Sequence, residues 1–399
     1  MVVERSELQL VWPPALFAAE AHALLAAVAD DDALGGLLAE AFHGGRAEQL
    51  LRQVADSQLP VPVPPVDSPW SSVTESLVRS AFSRRATARL VGELATAAAD
   101  LPRYVFRPLF RERQQLTVAA ALSVAETKDR FVRLVTELLG LGYFEDAFGS
   151  ECGDSHDNPN IQGQQALADR LDLHDVALWP LGTWSDGTAV LSGVHREWID
   201  EVFFEVMEAL DEVVARPHQR SWHGFHNEWD YSDYSRPVGQ AIYRLQVNAL
   251  LDRSDVPLRL AETGSDAGLL VHATSDPRDQ LTDQALHTDD LRDRAEVQHA
   301  VALFRGRAVS REQKRSAIFT LSRVLEERRP LVEATLTKKD AGALFQIANE
   351  FDLRHRRAAN HGKAQRDDYD DAFLDWVYWW YLSTVELTNQ LLGDRPSEP

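Results

Sequence analysis

Apolar positions along this chain recur mainly at helical intervals, broken by a few short stretches in which they cluster around turn residues. The segment from about Pro14 to Gln58, rich in Ala and Leu with acidic interruptions, predicts two or three helices. Pro60, Pro62, Pro64, Pro65 and Pro69 then remove helix hydrogen bonds and favour an extended connector. Helical patterning resumes from about Ser71 to Leu141, most clearly in TVAAALSVAETKDRFVRLVTELLG. The stretch Gly149 to Gly163 reads as a loop from its Gly, Asn, Asp and Pro content. Beyond it, short apolar runs flank Asp186-Gly187, a plausible hairpin turn, and HREWIDEVFFEVMEALDEVVA predicts a strong helix. PLRLAETGSDAGLLVHA places two strand-like runs around a Gly-containing turn.

From about Asp289 the chain reads as four helices: DLRDRAEVQHAVALFRG, SREQKRSAIFTLSRVLEERRP, a helix with apolar Leu344, Ile347, Ala348 and Phe351, and an aromatic helix from about Ala372 to Leu392. Ser310 is placed to cap the second, and Pro330 marks a break. The last helix is apolar or aromatic all round, through Phe373, Trp376, Val377, Tyr378, Trp379, Trp380, Tyr381 and Leu382. A second buried face is therefore expected, supplied by the upstream domains or by another subunit. The fold class expected is mostly α: a helical N-terminal region over 1–148, a mixed α+β region over 149–288 and a helical bundle over 289–399.

Length and composition fit two or three globular domains, with 44% hydrophobic and 26% charged residues in 399. One cysteine, Cys152, excludes an internal disulfide. MVVERSELQLVWPP lacks the basic start and apolar core of a secretory signal, and no run of about 18 apolar residues occurs. A soluble cytoplasmic protein without membrane contact is expected. The net charge of −21 excludes a chain that coats nucleic acid through its overall field. Its distribution changes the picture. From Arg305 to Arg366, 15 Lys and Arg face 7 Asp and Glu, a local +8 that leaves −29 elsewhere.

Three stretches carry candidate chemistry. Glu126, Thr127 and Lys128 match the carboxylate-x-lysine end of a metal-dependent nuclease site, but they lie within a helical period and read as a solvated helix face. His218, His223 and His226 lie among Trp222, Trp229, Tyr231 and Tyr234; their spacing fits no zinc template, even with Cys152 or His156 as a fourth ligand. They read as a turn packed on its neighbours, so no metal or other cofactor is expected. The third stretch is LRHRRAANHGKAQR. Arg354 follows Phe351 by three residues, so it falls on or beside an apolar face and needs a partner or a task. His355 follows directly, and six residues separate Arg354 from His361; Arg356, with four between, also fits as the arginine of the pair. A guanidinium matches a phosphate and stays charged, while an imidazole titrates near neutrality and can move a proton.

The run LTKKDAGALFQIANEFDLRHRR followed by YDDAFLDWVYWWYLSTVEL resembles the C-terminal domain of HEPN-type proteins of bacterial abortive-infection and toxin systems. The likeness covers roughly the last 100 residues. The family signature is Arg, four to six residues, then His, often with a polar residue after the Arg; Arg354, His355 and His361 match it. The resemblance implies a small helical bundle, a homodimer with both motifs facing one cleft, and metal-independent cleavage of RNA in antiphage defence. Arg354, His355 and His361 would be catalytic, with Arg356, Arg357, Lys363 and Arg366 binding RNA. The alternative is a non-catalytic module that dimerises or holds a regulatory protein partner.

Overall fold

The computed structural model describes residues 7–57, 85–104, 121–150, 158–185, 188–223, 228–264, 266–274, 276–288, 290–307, 309–350 and 370–393. These are mostly helical, with three two-stranded antiparallel sheets among them. By contact the chain forms two compact units, Met1–Asp255 and Val256–Pro399. This division differs from the three regions expected, because pairings within the first unit tie residues before 148 to residues after it.

The first unit contains α1 (Pro14–Ala26), α2 (Asp31–Ala41), α3 (Arg46–Ser57), α4 (Val124–Gly140), α5 (Pro159–Leu171), α6 (Asp200–Val213) and α7 (Arg236–Leu251). It also contains the hairpins β1 (Gly182–Ser185) with β2 (Thr188–Leu191) and β3 (Arg216–His223) with β4 (Glu228–Ser235). Helix α4 starts at a capping box, in which Ser123 and Glu126 satisfy each other's backbone donors. Its apolar face carries Phe131, Val132, Val135 and Leu138 inward, with Phe131 edge-on to Phe203 of α6 and Tyr243 of α7. Thr127 and Lys128 are buried, contrary to the expected solvated face. The Lys128 ammonium is offset by the Trp198 carbonyl and Asp200, each at 2.8 Å.

In the stretch 217–235, read as a turn, the described residues belong to two paired eight-residue strands, and residues 224–227 between them lie outside the described ones. Arg220 pairs with Tyr231 and Trp222 with Trp229, and the Arg220 guanidinium lies 4.4 Å over the Trp229 ring. This ribbon needs close approach to its support. Tyr231 packs where a Cβ on Gly142 would meet its ring at 2.5 Å, and Gly142 itself sits at φ +78°, so glycine is required twice over.

The second unit opens with the hairpin β5 (Leu258–Leu260) and β6 (Leu270–His272). It continues through α8 (Asp276–Leu286), α9 (Leu291–Arg305), α10 (Arg311–Glu327), α11 (Arg329–Thr335), α12 (Lys338–Glu350) and α13 (Asp371–Gly393). Ser310 caps α10 in a box with Gln313, as expected. Val297, Val301 and Phe304 of α9, Ile318 and Leu321 of α10, Leu344 of α12 and the buried side of α13 share one core. Phe304 stacks flat on Tyr378 at 3.5 Å.

Ion pairs at both ends fix the helix directions. Lys314, near the start of α10, lies 2.9 Å from Asp375 and 3.6 Å from Asp371 at the start of α13. Arg328, just past α10, donates to Thr388 at 2.6 Å, to Asn389 at 2.7 Å and to the Val385 carbonyl near the end of α13. α10 and α13 therefore run parallel. Arg328 also grips Asp293 of α9 at 2.6 Å, so α9 runs antiparallel to both. Removing the Arg328 side chain leaves Asp293 largely buried without its counter-charge, a change that costs about 3–5 kcal/mol. Urea unfolding of Arg328→Ala is expected to show that loss in the second unit; a change under about 1 kcal/mol, the scale of an exposed pair, would make the clasp an ornament.

Candidate functional site

Arg354, His355, Arg356, Arg357, His361, Lys363 and Arg366 all lie outside the described residues. What is described are the two elements that flank them in sequence, both rooted in one core. On the near side Leu344 is buried and its carbonyl accepts from Tyr381 of α13 at 2.7 Å. On the far side Asp370 caps α13 by accepting from the Phe373 amide at 2.9 Å, one residue beyond the segment. Asp371 and Asp375 follow, bound by Lys314, with Arg311 4.0 Å from Asp371.

Part of the local positive charge expected over 305–366 is answered by ion pairs among the described residues of the bundle. Arg311 faces Asp371, Arg315 faces Glu312, Arg323 faces Glu296, Arg328 faces Asp293, and Arg329 faces Glu326 and Glu333. Each guanidinium from 311 to 329 thus has a carboxylate within salt-bridge reach. Across the whole second unit 20 Lys and Arg stand against 24 Asp and Glu, so it carries no net positive field. The first unit is strongly acidic, with 21 against 38.

Comparison with family models, curated proteins and solved structures finds no match to this chain.

Two titratable groupings in the first unit were not legible in the sequence. Arg216, 2% exposed, binds Glu20 of α1 at 2.6 Å and Glu40 of α2 at 2.8 Å, while its guanidinium lies 5.5 Å over Trp12. Tyr143 donates to Glu40, and His218 lies 3.0 Å from Glu20 and 3.9 Å from Asp233. Burial works to raise the Glu20 carboxyl; the hydrogen bond with His218 and the charge of Arg216 overcome it and hold Glu20 below the usual carboxylate range. Burial and the neighbouring Glu40 drive the Tyr143 phenol well above its ordinary value, so it stays a donor. Glu20 and Arg216 lie 196 residues apart, and no local spacing signals such a pair. The cavity beside it, lined by Gly36, Glu40, Arg216, His218, Arg220 and Tyr231, holds about 20 Å³, room for one water and no substrate.

The second grouping is Asp129 with His195, joined at 2.6 Å. The hydrogen bond from His195 holds Asp129 below the usual carboxylate range. Such a pair forms half of many acid–base sites, but His195 is fully buried, so a substrate cannot meet the ring. Both groupings read as scaffolding. Among the described residues no set of three His, Cys, Asp or Glu side chains is arranged to hold a metal, and His218 is engaged by carboxylates.

The Glu20 interaction has a definite pH signature. Its carboxyl is depressed on folding, so its stabilisation is complete above the ordinary glutamate value of 4.5 and is lost as pH falls through the lower folded value. Glu20→Gln is expected to cost about 3 kcal/mol at neutral pH, the lower end for a broken buried pair because Glu40 remains. The same variant is expected to lose stability less steeply than the parent below pH 4.5. Parallel slopes in denaturant melts taken across that range would remove Glu20 from the account.

Proposed function

We propose that the C-terminal bundle is a HEPN-type endoribonuclease of abortive-infection or antiphage defence, working as a homodimer and cutting RNA through Arg354 and His361. The observation that supports it is the setting of the LRHRRAANH segment. In sequence it follows α12 and precedes α13, two helices that share the core of a helical bundle, which is consistent with the resemblance. The pairing of the arginines from 311 to 329 also directs phosphate binding to the segment 351–369, which carries five Lys and Arg against three Asp.

In the reaction, His361 acts as general base on a ribose 2′-hydroxyl, whose oxygen attacks the adjacent phosphorus, or as general acid on the 5′-oxygen as its bond to phosphorus breaks; His355 or water exchanges the other proton. Arg354 binds the phosphate through its fork of donors and stabilises the negative charge that builds on it. His355 orients the pair or shares the proton transfer. Arg356, Arg357, Lys363 and Arg366 bind flanking phosphates, which fixes the chain without reading its sequence. The products are a 2′,3′-cyclic phosphate and a free 5′-hydroxyl, with no metal in any step. The acidic first unit then serves to sense a trigger or restrain the nuclease.

A non-catalytic interaction module is the second reading, favoured by the exposed Trp376 side chain of α13. Labelled single-stranded RNA incubated with the purified protein in chelator distinguishes them. Cleavage to cyclic-phosphate ends is expected, with a loss of about 100-fold or more in Arg354→Ala, His361→Ala, the scale of one general acid–base group. RNA left intact, or cleavage undiminished in the double variant, removes the ribonuclease reading; retarded but uncut RNA leaves a binding protein.

A further inference from the structure

The loop that follows α5 folds back on that helix and leaves a cleft between them. Ile161 and Gln165 of α5 line one side, and His174, Trp179 and Pro180 the other, around about 460 Å³. That volume lies within the range of small-molecule sites. The wall is preformed. The Gln164 carboxamide accepts from the Leu178 and Trp179 amides at 2.8 and 2.9 Å and donates to the Val176 carbonyl at 2.8 Å, so the loop is held without any ligand.

One group in this wall is left over. The Trp179 indole is 5% exposed and packs 4.9 Å from Phe148 and 5.7 Å from Phe144. Its N–H lies against Gly163, where a Cβ would meet Nε1 at 2.7 Å, and it has no hydrogen-bond partner among the described residues. A buried indole N–H ordinarily finds an acceptor. This one is not fully enclosed, so a ligand in the cleft can reach it. The exposed Gln165 carboxamide, unlike that of Gln164, is also unengaged among the described residues.

We propose that this cleft binds the uncharged base of a nucleoside, held by its edge on the Trp179 N–H and the Gln165 carboxamide. Recognition has to run through an edge, because almost no indole face is open for the stacking that a sugar or a quaternary ammonium uses. The indole and the carboxamide together offer donors and an acceptor, which the N–H, nitrogen and carbonyl groups along a base edge complement. Ile161, 64% exposed, and Pro180 supply apolar surface for the flat faces of the base. No Lys or Arg is among the described residues lining the cleft, and Asp169 and Asp172 each stand 3.7 Å from His174 on its rim, so a phosphate is disfavoured. The inference goes beyond the ribonuclease reading, giving the acidic first unit a ligand to sense, and does not rest on Arg354 or His361.

Isothermal titration of the full chain carrying Arg354→Ala, His361→Ala with adenosine, guanosine, cytidine and uridine tests it apart from any nuclease activity. At least one nucleoside is expected to bind at one site per chain, more tightly than its 5′-monophosphate. Gln165→Leu, which keeps bulk and removes the hydrogen-bonding groups, is expected to weaken binding about tenfold, the scale of one or two hydrogen bonds. Ile161→Arg, at an exposed position, is expected to abolish it with circular dichroism unchanged. In ¹H–¹⁵N spectra the Trp179 indole resonance, assigned by its loss in Trp179→Phe, is expected to shift on titration ahead of those of the other tryptophans. No binding at millimolar nucleoside, binding indifferent to both cleft variants, or a 5′-monophosphate or glucose bound as tightly as the nucleoside overturns the assignment. None of these results touches the ribonuclease reading, which is tested on the parent with labelled RNA.

Discussion

The parallel clasp between α10 and α13 is the constraint that orders the second unit. A helix of 23 residues packed by its apolar side alone can slide or rotate by a turn at modest cost, since neighbouring ridges offer similar grooves. Two charged contacts near its opposite ends remove that freedom. Lys314 fixes the first turn through Asp371 and Asp375, and Arg328 fixes the last through a carbonyl, a hydroxyl and an amide oxygen. The two contacts differ in kind. Lys314 acts on carboxylates that remain about half wet and contributes modestly. Arg328 is buried with Asp293, so its contribution is chiefly that nothing else in the site can satisfy the groups it binds. Specifying register, rather than adding net stability, is the role such a buried pair performs best here.

The first unit meets the same problem with more charge. Two carboxylates from different helices converge on one buried guanidinium, which leaves an excess negative charge that polar neighbours must spread. Tyr143 spreads it by donating to Glu40. β3 supplies both Arg216 and His218, so the ribbon is joined to α1 and α2 through its charges as well as through Tyr231 on Gly142. A ribbon of two strands has little core of its own and needs such attachment.

These arrangements explain which parts of the fold the sequence displayed. Helix α4 and the cap of α10 were legible because their signals are local: a Ser followed three residues on by Glu or Gln, then apolar residues at helical spacing. The pairing of β1 with β2 was legible for the same reason, from short apolar runs on either side of Asp186-Gly187, two residues that lie outside the described ones. β3 and β4 were not, because their residues are mostly polar or aromatic and alternate too weakly to show a buried face. Lys128 reads as solvated by type, and only its approach to Asp200, distant in sequence, makes its burial tolerable. Of the proposed site, the sequence displayed the Arg and His motif and the helices beside it. It could not display Arg328 on Asp293 or Arg323 on Glu296, which need the antiparallel pairing of α9 with α10.

That last point alters the electrostatic argument for RNA. A +8 stretch in the sequence suggests a basic face that attracts phosphate over a distance. Once the guanidiniums from 311 to 329 are matched with carboxylates, a face of that kind is largely lost, since a close ion pair acts as a dipole whose field falls off faster than a charge. Over distances beyond a Debye length of about 8 Å, salt screens what remains. Any affinity for RNA then comes from contacts made at short range by a few cations, not from steering by the whole domain. On the proposed reading, RNA would be held weakly outside the site and chosen by what fits beside the reacting phosphate.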